Sequence, residues 1–128
     1  MSGKGKVLLM DDEQIILDVT GEILTFLQYD VMSAKDGQAA IDLYKKEKAA
    51  GSPFDIVILD LSVPNGLGGK ETIELLRNVD PEVKAVVSSG YTNDPVVRDF
   101  SHYGFREKLT KPYNIQEMRN LLEKIIKK

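Results

Sequence analysis

Short apolar runs alternate along this chain with longer stretches whose apolar residues recur every three to four positions. That alternation restricts the fold more than any other feature, because a period of two and a period of 3.6 bury different kinds of surface. Lys6–Met10 reads as a strand, followed by a helix from about Glu13 to Leu27 with Ile16, Val19, Ile23 and Phe26 on its buried face. Tyr29–Ala34 reads as a second strand, and Asp36-Gly37 as the turn into a helix with Ala40, Leu43 and Tyr44 inward and Lys45–Lys48 ("KKEK") solvated. Gly51-Ser52-Pro53 ends that helix before a third strand, Phe54–Asp60. A loop then leads to a helix bearing Ile73 and Leu76, which Asp80-Pro81 terminates. Val83–Ser89 is a fourth strand, and Val96, Val97, Phe100 and Tyr103 mark a short fourth helix ending near Gly104. Phe105–Thr110, the least apolar strand candidate, reads as an edge. The last helix carries Ile115, Met118, Leu122 and Ile125 on one stripe and finishes in Lys127-Lys128, as suits a helix C-terminus.

The pattern is (βα)5 across residues 1–128, a single α/β domain without internal repeat or linker. It predicts a doubly wound, five-stranded parallel sheet with helices on both faces. A net charge of -3 gives no reason to expect nucleic acid as the partner. The absence of cysteine excludes thiol chemistry and cysteine-ligated zinc. The N-terminal apolar run stops after four residues at Asp11, too short for a signal peptide or a membrane span, so a cytoplasmic protein is expected.

In open parallel sheets the ligand site lies beyond the carboxyl ends of the strands. Strand one ends in Asp11-Asp12, strand three in Asp60, strand four in Ser88-Ser89 and strand five in Thr110-Lys111-Pro112. The fold thus brings to one edge residues that lie far apart in the chain. Three crowded carboxylates repel one another unless a cation intervenes, and hard oxygen ligands without His or Cys favour Mg2+. Lys111 adds a fixed positive charge and Ser89 a hydroxyl donor. A metal, an ammonium and a hydroxyl around one carboxylate suit a phosphoryl group, with Asp60 as the nucleophile that forms an acyl phosphate.

This constellation resembles the receiver domain of two-component response regulators over the whole chain. The resemblance implies a flavodoxin-like strand order 2-1-3-4-5. It implies Mg2+ on Asp11, Asp12 and Asp60 and on the backbone carbonyl of Ser62, two residues beyond the phosphoacceptor Asp60. Pro64 and Gly68 match the family's Pro and Gly four and eight residues after the acceptor. Ser89-Gly90 matches its hydroxyl residue and small neighbour, and Lys111-Pro112 its Lys-Pro, whose peptide bond is often cis. The implied function is regulatory rather than metabolic. A histidine kinase or histidine phosphotransfer protein donates a phosphoryl group to Asp60, and the domain catalyses only its own phosphorylation and dephosphorylation. The readout is a partner surface or a fused domain that the sequence does not name. Two positions depart from the pattern. Lys108 stands where an aromatic residue often precedes the lysine by three, and Gly66 replaces a common methionine within "PNGLGG". Similar glycine-rich loops occur in receivers attached to hybrid histidine kinases.

Simpler roles compete at each position. Asp60 could cap its strand, Asp11 or Asp12 could cap the first helix, Lys111 could be solvated, and Ser88 rivals Ser89. Gly90 favours Ser89, since it leaves room for a phosphoryl group. His102, alone near a helix end, reads as an ordinary surface histidine. Ile15, Ile16 and Leu17 exceed what one buried stripe needs, so one or two of them should form an exposed contact beside the Asp pair. Among other functions, a Mg2+-dependent phosphatase of the haloacid dehalogenase type needs an acid where Ser62 stands. A flavin binder of the same fold would meet repulsion from "MDDE". A purely structural module would not require this cluster of charges.

Overall fold

The computed structural model describes residues 4–63, 66–90 and 93–126. Pro64, within "PNGLGG", and Lys127-Lys128 lie outside the described residues. The elements run β1 (Gly5–Met10), α1 (Gln14–Phe26), β2 (Tyr29–Ala34), α2 (Gly37–Ala49), β3 (Ile56–Asp60), α3 (Gly69–Val79), β4 (Ala85–Ser89), α4 (Pro95–Arg98), a 3-10 turn (Phe100–Tyr103), β5 (Glu107–Thr110) and α5 (Ile115–Ile126). The strands form one parallel sheet in the order β2-β1-β3-β4-β5. Both faces are covered, so β3 and β4 are buried at every position and carry no apolar-polar alternation.

Two apolar layers flank the sheet. Val7 and Leu9 of β1, Ile56 and Ile58 of β3, and Val86 of β4 pack with Leu17 and Leu24 of α1 and Met118 and Leu122 of α5. The alternate residues Leu8, Met10, Val57, Leu59 and Val87 pack with Ala40, Ile41 and Tyr44 of α2 and Ile73 and Leu76 of α3. The strand pleat sends neighbouring residues to opposite layers. The Tyr44 hydroxyl donates to Asp80 Oδ2 at 2.7 Å, tying α2 to the end of α3.

Three helical details differ from the sequence reading. In α1 the buried positions are Leu17, Thr20 and Leu24, with Leu27 just beyond, while Val19 and Phe26 are exposed. The apolar stripe expected from Ile16, Val19, Ile23 and Phe26 is rotated from the true core face, because polar Thr20 occupies a core position. Ile15 is 68% exposed, Ile16 half-buried and Leu17 buried, so Ile15 is the one of the three left on the surface. In α5, Ile115 is exposed and Leu121 is buried with Met118, Leu122 and Ile125.

The expected fourth helix is two short pieces. Asp94 caps the first, accepting from the Val96 N–H, and Asp99 leaves helical geometry at φ -124°, ψ 49°. The following 3-10 turn closes when the Phe105 N–H reaches the Phe100 carbonyl and the Gly104 N–H the Ser101 carbonyl. Gly104 takes φ +100° there, the left-handed value this C-terminal closure uses.

Candidate functional site

The pleat that builds the two layers also builds the site. Asp11 continues the alternation of Val7 and Leu9, Asp60 that of Ile56 and Ile58, and Lys111 that of Leu109. All three fall on the same side of the sheet, at its carboxyl edge. The Lys111 ammonium is 2.7 Å from Asp11 Oδ2 and 3.2 Å from Asp60 Oδ1. Asp11, Asp12 and Asp60 each offer a carboxylate oxygen within 4.8 Å of the others. Asp11 and Asp60 are buried, at 1% and 4% exposure, and Asp12 is more open. Asp60 therefore belongs to a polar site and does not cap a strand at the surface.

Burial, and next the charge of Asp11, push the Asp60 carboxyl up to about 6. Lys111 and the Ser62 backbone N–H pull the other way without cancelling that rise. For Lys111 burial opposes the charge, but the Asp11 hydrogen bond and both carboxylates raise its pKa overall. The ammonium is thus fully protonated at neutral pH.

An open cleft over this cluster is lined by Asp12, Glu13, Asp60, Ser62, Ser89, Gly90 and Lys111. Ser62 and Ser89, both singled out from the sequence, are among these lining residues. Glu13 also faces the cleft, and its only signal in the sequence was its position after the Asp pair. Neither Asp11 nor Asp12 is the N-cap of α1. That position is Glu13, whose N–H donates to Asp11 Oδ1 at 3.0 Å. The Lys111–Pro112 peptide is cis.

The loop after β3 crosses itself closely. A Cβ on Gly68 would sit 2.6 Å from the Leu61 carbonyl oxygen, so only glycine fits without a shift. Ser88 does not line the cleft. Its hydroxyl shares a hydrogen bond with that of Tyr113, a contact the sequence reading missed. His102 is exposed, edge-on to Tyr103 and outside the cleft lining. Lys108 is exposed on the edge strand β5, opposite Val87 in register.

A family model described as the response regulator receiver domain matches residues 7–123. Sporulation initiation phosphotransferase F of Bacillus subtilis is 25% identical, the match covering 94% of this chain and 93% of that protein. Sensor kinase CckA of Brucella abortus is 27% identical over 100% of this chain, which spans only 13% of the kinase. Among solved structures, the receiver domain of a Pseudomonas aeruginosa sensor histidine kinase, with a magnesium ion coordinated in its active site cleft, superposes with a TM-score of 0.84. It is 20% identical, and the match covers 97% of this chain and 98% of that one. With the expected strand order in place and the matched span running from β1 into α5, the chain belongs to the response regulator receiver domain family, the phosphoacceptor modules of two-component signalling.

Proposed function

We propose that Asp60 is the phosphoacceptor of this receiver and takes its phosphoryl group from a phosphohistidine on a histidine kinase or histidine phosphotransfer protein. One observation carries this reading: a buried carboxylate at the end of a central strand, 3.2 Å from a lysine ammonium and open to a cleft. An Asp60 oxygen attacks phosphorus in line as the P–N bond to histidine breaks, and the departing imidazole keeps the bond's electron pair. The Lys111 ammonium and the Ser89 hydroxyl hold phosphoryl oxygens in the product.

Receivers bind Mg2+ in the active site, and the donor set here fits that ion: three carboxylates within 4.8 Å and hard oxygen ligands throughout. Asp11, Asp12, Asp60 and the Ser62 backbone carbonyl would hold it. When bound, Mg2+ supplies positive charge that neutralises phosphoryl oxygens. Water later cleaves the acyl phosphate, so the domain promotes both its own phosphorylation and its own dephosphorylation. Ser62 has no carboxyl group to act as the general acid of a phosphatase, which argues against metabolic turnover.

Among the described residues no helix is long and apolar enough to cross a membrane. The reading makes residues 1–128 one receiver unit, acting in the cytoplasm through a partner or a fused domain. Incubation with a small acyl phosphate and Mg2+ should add about 80 Da, removable by hydroxylamine and absent from Asp60→Asn. Label on Ser88, Ser89 or His102, with Asp60→Asn still modified, would overturn the assignment.

A further inference from the structure

Ser88 and Tyr113 bring two hydroxyls together behind the cleft. Ser88 is 1% exposed, and Tyr113 packs its ring against the apolar layer beneath α1 and α5. Ser88 is also the register partner of Asp60, and its carbonyl accepts the N–H of Leu61, the residue after Asp60, at 2.9 Å. On the other side, the Ser89 carbonyl accepts the Lys111 N–H at 2.9 Å, and the Ser88 hydroxyl meets Tyr113, two residues beyond Lys111. Ser88 therefore holds the backbone next to Asp60 with its main chain and the segment carrying Lys111 with its side chain. Packing alone does not call for this pair. Burying the Ser88 hydroxyl and half-burying the Tyr113 side chain costs free energy that their mutual bond only offsets, and an alanine–phenylalanine pair would fill nearly the same space.

We propose that the Ser88–Tyr113 hydroxyl pair is a positioning clamp, fixing the Lys111 segment against β4 so that the ammonium is set over Asp60 for phosphoryl transfer. The inference rests on the reading of Asp60 as acceptor. Neither hydroxyl touches the reacting atoms. Burial above all pushes the Tyr113 phenol up to about 12, against the opposing pull of Ser88 and Lys111, so the bond persists through the neutral range.

The test compares Tyr113→Phe, Ser88→Ala and the double variant, with a small acyl phosphate and Mg2+, by intact mass over time and by thermal melting. Tyr113→Phe leaves the buried Ser88 hydroxyl without its partner and Ser88→Ala the half-buried Tyr113 hydroxyl, so each should lower the melting temperature, the first more, whereas the double change removes both and should restore most of it. A clamp predicts that all three variants are phosphorylated about fivefold more slowly at saturating donor, the factor one modest hydrogen bond carries. The donor concentration at half-saturation should be unchanged, and the two substitutions should not multiply. Ser88→Thr, which keeps a hydroxyl, should recover the rate. A double variant phosphorylated as fast as the wild type, or effects that multiply, would overturn the clamp while leaving Asp60 as acceptor. A wild-type protein that takes no label on Asp60 would overturn the acceptor reading and the clamp together.

Discussion

Replacing Asp60 by Asn should stabilise the metal-free protein at pH 8 while abolishing phosphorylation. The carboxyl titrates near 6 in the folded chain against 3.8 for a free aspartate, chiefly because it is buried and next because Asp11 lies beside it. At 1.36 kcal/mol per pH unit, the ionised side chain costs the folded state about 3 kcal/mol relative to the unfolded chain. The sign follows from proton binding. Between pH 4 and 6 the folded state holds a proton that the unfolded state has released, so stability falls as pH rises through that window and levels off above it. Asparagine mimics the protonated acid, and Lys111 keeps its 2.7 Å pair with Asp11 when the pair with Asp60 is lost. The two proteins should therefore be nearly equal in stability at pH 4, with the variant ahead by up to about 3 kcal/mol at pH 8. Urea unfolding at half-unit intervals of pH, with a chelator present throughout, measures that gap. A variant no more stable than the wild type at pH 8, or equally far ahead at pH 4, would refute the account of a buried and repelled carboxylate.

Mg2+ should raise the melting temperature, by the equivalent of about 2.7 kcal/mol at one hundred times its dissociation constant, since the dispersed carboxylates of the unfolded chain do not bind it. Asp12→Asn should blunt that rise in a calorimetric titration, and an undiminished response would remove Asp12 from the metal site. Ile15→Ala, on the exposed side of α1, should slow transfer from a phosphohistidine protein several-fold while sparing transfer from a small acyl phosphate. Equal losses with both donors would mean damage to the site itself.

The meeting of Asp11, Asp12, Asp60 and Lys111 was legible because they sit at strand ends, and strand ends in a parallel sheet share an edge whatever their separation in sequence. The sequence marks both bounds of Tyr29–Ala34, since a run between a helix and an Asp-Gly turn leaves little freedom. Helix faces were less legible. Ile15, Ile16, Val19, Ile23 and Phe26 offer α1 more apolar surface than the sheet can cover, and only three-dimensional packing selects Leu17, Thr20 and Leu24 from it. The break at Asp99 was hidden because Val96, Val97, Phe100 and Tyr103 keep helical spacing on both sides of it. The Ser88–Tyr113 bond was out of reach for another reason: Gly90 singles out Ser89 for the cleft, but nothing in either segment pairs Ser88 with a tyrosine 25 residues away.

The strand order divides the site unequally. Asp11 and Asp60 extend from β1 and β3, each laddered to a neighbour on both sides, whereas Lys111 follows β5, a four-residue strand bonded on one side only. The acidic half thus stands on the sheet's stiff interior and the cationic half on its compliant margin. Displacing a carboxylate means breaking two ladders, while displacing the lysine strains one. Substitutions that loosen β5 should therefore shift the lysine relative to the two carboxylates while the carboxylates keep their places.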